Sequence, residues 1–141
     1  MNTNKSTNVD WMLDDLVGAT GAKYAVVLST DGLVIQKSAN ISKDEADALA
    51  ALASSLSSVT SAVSDRFSGG PVRQTFVEMA QQYLVVTAAG ANARLAVIAD
   101  GEVDLGLVGY EMNRLVKKVG QHLSTAVRNP AAVGMDGGMR S

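Results

Sequence analysis

Apolar positions recur along this chain with two periods, and the switches between them mark eight elements. Val9, Met12, Leu13, Leu16 and Val17 stand at i, i+3, i+4, i+7 and i+8, one face of a helix. Thr7 or Asn8 is placed to cap it, Asp10 suits its first turn, and Gly18 and Gly21 end it. The run Tyr24–Ser29 is apolar on both faces, which predicts a strand covered on both sides. Thr30-Asp31-Gly32 separates it from the apolar run Leu33–Ser38, and Asp-Gly at that place predicts a tight hairpin whose turn needs positive φ. Ser42-Lys43-Asp44-Glu45 is a capping box opening a long helix that runs to Arg66-Phe67, where Gly69-Gly70-Pro71 stops it. Strands are predicted over Val72–Met79, Tyr83–Ala89 and Arg94–Ala99, joined by turns short enough for an antiparallel meander. Asp104 caps a last helix striped by Leu105, Val108, Met112, Leu115, Val116, Val119 and Leu123.

The order α-β-β-α-β-β-β-α predicts an α/β fold of the α+β sandwich kind. A five-stranded, mostly antiparallel sheet would carry the long helix on one face and the two terminal helices on the other. Residues 9–128 form the expected domain, between a flexible N-terminus (1–8) and a flexible C-terminal tail (129–141) without periodicity.

The long helix carries the functional signal. Leu49, Leu52, Ala53, Leu56, Val59, Thr60 and Val63 form a stripe expected to pack on the sheet, yet from Ala48 to Ser64 there is no charged residue to cover the other side. Ala51, Ser55, Ser58 and Ala62 align as a second stripe of small side chains, suited to close approach of another helix. Either this stripe simply faces water or it meets another subunit, and the strand over Val72–Met79 favours a subunit. Its long polar and apolar side chains are mixed on both faces, as at a sheet edge open to pairing. A two-fold axis there would bring Ala51, Ser55, Ser58, Ala62, Val72, Gln74 and Phe76 into a homodimer interface.

Composition narrows the function. Charged residues make up 18% of the 141, below the norm of about a quarter, so the surface is easy to desolvate. A net charge of −2 argues against nucleic acid, which needs a basic face. There is no cysteine for disulfides or thiol chemistry, no apolar run of the ~18–20 residues that span a membrane, and no signal-peptide stretch in Met1–Asn8. The expectation is a cytoplasmic protein with neither membrane insertion nor a cofactor.

Catalytic constellations are lacking. His122 is the single histidine and has no thiol partner, and no Gly-Lys-Ser/Thr phosphate loop occurs, so neither catalysis nor GTP binding by the chain itself is expected. Asp100, Glu102, Asp104 and Glu111 stand at positions 1, 3, 5 and 12 of a calcium-loop register, but Leu105 occupies the glycine position. The group reads as an acidic turn capping a helix, with no metal site.

Ala25-Val26-Val27-Leu28-Ser29-Thr30-Asp31-Gly32-Leu33-Val34-Ile35, the capped Ala/Leu/Ser helix after it, and the meander through Leu95-Ala96-Val97-Ile98 together resemble the Roadblock family over about Val9 to Arg128. That family is related to dynein light chains and to bacterial GTPase regulators. The resemblance implies homodimers whose long helices and third strands meet across the axis, and a Ras-like small GTPase bound on the helical face. It further implies a signalling set that includes a sensor-kinase-like protein, and regulation by reshaping the GTPase rather than by donating Arg66 or Arg73 as a finger.

The leading expectation is thus a non-enzymatic, dimeric, bacterial GTPase regulator. Asp47, Ser54, Ser61 and Asp65 would be its partner-binding residues, left exposed on the solvent side of the paired helices. An architectural adaptor without effect on nucleotide turnover is the alternative. A ligand sensor of profilin-like build, with a pocket under the terminal helices, is a third reading.

Overall fold

A computed structural model describes the backbone of residues 4–127 and the side chains of residues 11–118. The elements run α1 (Asn4–Thr20), β1 (Tyr24–Ser29), β2 (Val34–Lys37), α2 (Lys43–Phe67), β3 (Gln74–Glu78), β4 (Gln82–Ala88), β5 (Ala93–Asp100) and α3 (Leu105–Val127). The expected order holds, and every strand pairing is antiparallel. The strand order is β2-β1-β5-β4-β3, which leaves β2 and β3 as the two edges.

Helix α1 begins at Asn4, so Thr7 and Asn8 lie inside it rather than capping it. It ends as the glycines predict. Gly21 takes φ +76° and its N–H donates to the Val17 carbonyl at 2.9 Å, closing the last turn in the left-handed conformation that glycine adopts without strain. At the other terminal helix, the Asp104 carboxylate accepts the Gly106 and Leu107 N–H groups at 3.0 and 3.2 Å. The expected tail at 129–141 and His122 lie outside the residues whose side chains are described.

The expected tight β1–β2 hairpin forms, and the positive φ it needs falls on Gly32. Gly32 N–H donates to the Ser29 carbonyl at 3.0 Å, so Thr30 and Asp31 are the central pair, and of these turn residues only Gly32 has positive φ, +88°. This is a common turn followed by a left-handed glycine, closed by Ser29 N–H to the Leu33 carbonyl at 2.8 Å. Ile35 is an extra residue in β2, since Val27 and Leu28 pair with Gln36 and Val34.

Strand β1 is buried on both faces, as its unbroken apolar run predicts. Ala25 and Val27 join Leu95, Val97 and Val85 under α1 and α3, where Leu13, Leu16, Val108, Met112 and Leu115 close the larger core. Val26 and Leu28 join Ala96 and Val86 under α2. Here the expected stripe of α2 holds only in part: Ala53 is buried and Leu49, Leu56 and Thr60 are half-buried, but Leu52, Val59 and Val63 lie outside the core. The buried residues of the helix are Ala46, Ala50 and Ala53. Small methyl groups let the helix axis come close to the sheet, and a line of larger side chains would hold it off. By length and hydropathy α2 is also apolar enough to cross a membrane, contrary to the sequence expectation, but its alanine side is packed against the sheet.

Candidate protein-interaction surface

Helix α2 is held at both ends by local chemistry. The Ser42 hydroxyl accepts the Glu45 N–H at 3.1 Å, and Asp44 and Glu45 place negative charge in the first turn. At the far end Ser68 is left-handed (φ 58°), Gly69 N–H donates to the Ser64 carbonyl at 2.9 Å, and the Ser64 hydroxyl donates to the Gly70 carbonyl. Between these caps run 25 residues, about 37 Å of helix.

Its outer side is apolar. Leu52, Val59 and Val63 fall on one line and are 66, 61 and 54% exposed, and Phe67 extends the line at the helix end. Ala48, Ser55 and Ala62 border it, all exposed. Large apolar side chains in a row on the solvent side of a helix with no charged residue from Ala48 to Ser64 mark an interaction surface. Leu49 and Leu56, next around the helix, share a core with Leu84 of β4, so the line turns toward the β3 edge.

Strand β3 pairs only with β4, leaving its other side open. Phe76 is half-exposed and Met79 is exposed just beyond the strand. Of the interface residues expected from the sequence, Ala51, Ser55, Ser58, Ala62 and Phe76 are exposed. Val72 and Gln74 are half-buried, and the Gln74 amide is spent inside the sheet, donating to the Thr87 hydroxyl at 2.8 Å. Leu52, Val59 and Val63 were missed because apolar size pointed them inward, and Phe67 because it was read only as the end of the helix. The signal that finds them is the run of Ala46, Ala50 and Ala53 on the opposite side of the helix.

The four expected partner-binding residues do not form one open surface. They share a line on α2, but that line is the seam between its solvent side and its sheet side. Asp47 and Asp65 are exposed. Ser54 instead donates to the Thr30 carbonyl at 3.0 Å, and the hairpin turn sits against it. Ser61 faces a cavity beneath the helix. Asp47 takes the Lys43 amine at 2.8 Å, and this hydrogen bond, then the charge behind it, holds the Lys43 amine above its ordinary value.

No group of three or more acidic or histidine side chains converges among the described residues. In the acidic turn Asp104 caps α3 and Glu111 pairs with Arg114 at 3.0 Å. The space between α1 and α3, beside Trp11, Leu16 and Leu115, measures about 30 Å³. That is room for about one water, and it gives no support to a ligand sensor with its pocket there.

A family model described as the Roadblock/LC7 domain matches residues 9–99. The chain is similar to the Roadblock/LC7 domain from Streptomyces avermitilis at 43% identity and a TM-score of 0.79, over 82% of this chain and 98% of that one. It shares its fold with Myxococcus xanthus MglB (20% identity, TM-score 0.79, 84% of this chain and 97% of that one). The gliding protein MglB from Thermus thermophilus has the same fold (21% identity, TM-score 0.74, 84% and 88%). None of the curated proteins matches the chain.

Proposed function

Because the chain belongs to the Roadblock/LC7 family, we propose that it is a non-enzymatic homodimer that regulates a Ras-like small GTPase in the bacterial cytoplasm. The observation that carries this reading is the exposed line Leu52, Val59, Val63 and Phe67 beside an open β3 edge. Two copies related by a two-fold axis there bury both lines at once and continue one sheet into the other. The fold shared with MglB, a gliding protein in T. thermophilus, supports a regulatory adaptor over an enzyme.

With the dimer formed through the Leu52–Phe67 line, Ala51 and Ser58, assigned to the interface from the sequence, fall on its uncovered shoulder with Asp47 and Asp65, all exposed, and the GTPase docks there. Small side chains and two rim carboxylates are covered there without burying an unpaired charge. To shift the nucleotide cycle, the contact must differ in free energy between the GTP and GDP forms.

The test mixes the protein with the small GTPase encoded beside it and measures hydrolysis, exchange and affinity in both nucleotide states. The expected result is a change in nucleotide turnover that Asp65→Lys abolishes while the dimer persists. Equal affinity in both states with unchanged turnover overturns the regulator and leaves an architectural adaptor.

A further inference from the structure

We infer that the cavity beneath the second half of α2 is a binding site for a small tetrahedral oxyanion, inorganic phosphate or a compact phosphomonoester. The cavity measures about 240 Å³ and lies between α2 and the ends of β3, β4 and β5 that face the hairpin turn. That is below the ~300 Å³ at which pockets for drug-sized ligands begin, which favours a compact ligand.

The first support is charge. Arg73 and Arg94 both line the cavity, and no carboxylate does. Neither guanidinium forms an ion pair among the described residues; Arg94 spends one N–H on the Ala93 carbonyl at 3.2 Å. Two like charges facing one partly enclosed space repel unless an anion sits between them. The chain as a whole carries −2, so this positive spot is local.

The second support is register. The Arg73 carbonyl accepts the Ala88 N–H at 3.1 Å, and Ala88 pairs with Arg94. Arg73, Ala88 and Arg94 thus form one row across three adjacent chain segments, with the two arginines about 10 Å apart at the backbone, two strand spacings. Both arginines and Ala88 line the cavity, and the small methyl of Ala88 between them takes up little of its space.

The third support is the helix above. In its first half the sheet-facing side is Ala46, Ala50, Ala53 and Leu56; in its second half it becomes Ser57, Thr60 and Ser61, and Thr75 adds a hydroxyl from β3. Thr60 currently donates to the Ser57 carbonyl at 3.1 Å. An apolar core needs no hydroxyls there. Guanidinium groups with hydroxyl donors around them match a phosphate, whose oxygens accept from many directions.

The inference does not rest on the regulator reading, because the cavity lies on the sheet side of α2. It is tested on the full chain by amide chemical-shift titration with inorganic phosphate, against chloride at equal ionic strength. The expected result is saturable shifts at Thr75, Ala88 and Arg94. Arg73→Gln, an exposed substitution that leaves the fold intact by circular dichroism, should weaken binding ~10- to 100-fold, as the loss of a charged hydrogen bond does; Arg94→Gln gives the second reading. A parallel titration with glycerol 3-phosphate assigns the source, tighter binding than phosphate marking a phosphomonoester site and weaker binding a free phosphate site. Shifts that fail to saturate, or that persist unchanged in Arg73→Gln, overturn the proposal.

Discussion

Val59→Asp places a carboxylate at the middle of the outer apolar line of α2, where the native side chain is 61% exposed in the single chain. Complete burial of a valine-sized side chain contributes about 1.5–3 kcal/mol, so three-fifths of it leaves about 1–2 kcal/mol for an interface to gain. A two-fold axis uses the residue twice, giving about 2–4 kcal/mol per dimer. At about 1.4 kcal/mol per tenfold, the dimer dissociation constant should rise about 30- to 1,000-fold, a lower bound because the new carboxylate must also lose water. The single chain should keep its helix content, since no buried contact is removed. Sedimentation equilibrium across a concentration series reads the constant directly, with far-ultraviolet circular dichroism as the check on folding. A dissociation constant within threefold of the unaltered protein, or a monomeric mass for the unaltered protein at micromolar concentration, refutes the assignment of this face.

Three further outcomes test the local arguments. Gly32→Ala forces a side chain onto φ +88° and sets its Cβ 3.3 Å from Ser54 Cβ; the left-handed penalty alone should lower unfolding free energy by about 1–2 kcal/mol, read by urea denaturation with an unchanged slope. Ser42→Ala removes the 3.1 Å cap to Glu45 and should cost about 1 kcal/mol in the same assay, while Ser42→Asp should retain most of it. Ala50→Leu adds volume at a fully buried point between α2 and the sheet and should destabilise by about 1–3 kcal/mol despite its greater hydrophobicity, as a lower thermal midpoint. A stabilised Ala50→Leu protein would mean that α2 does not pack through its alanines.

The sequence by itself determined the elements and their order, because each rests on neighbours within a few residues. The Ser42 and Asp104 caps, the glycine stop at Gly21 and the double-sided apolar run of β1 are local signals, and all four appear in the fold. The hairpin was legible too, because Asp31-Gly32 puts the positive φ of the turn on a glycine. What the local signal could not give is the neighbour of that glycine: a Cβ at Gly32 would lie 3.3 Å from Ser54 Cβ on α2, 22 residues away in the chain.

Only the tertiary structure decided which side of α2 faces in. Its composition offers two inward stripes, a large one through Leu52, Val59 and Val63 and a small one through Ala46, Ala50 and Ala53, and periodicity cannot rank them. Close approach to a sheet selects the small one, and the large residues are left on the surface. The same holds for Ser54 and Ser61, which a helical wheel puts beside Asp47 and Asp65. The packing of the hairpin and of β3 to β5 turns those two hydroxyls away from the open surface. Arg73 and Arg94 are unrelated in sequence; strand register sets them on either side of Ala88. Local propensity acts over one or two turns of chain, whereas faces and cavities are settled by which elements touch, and that is a property of the whole sheet.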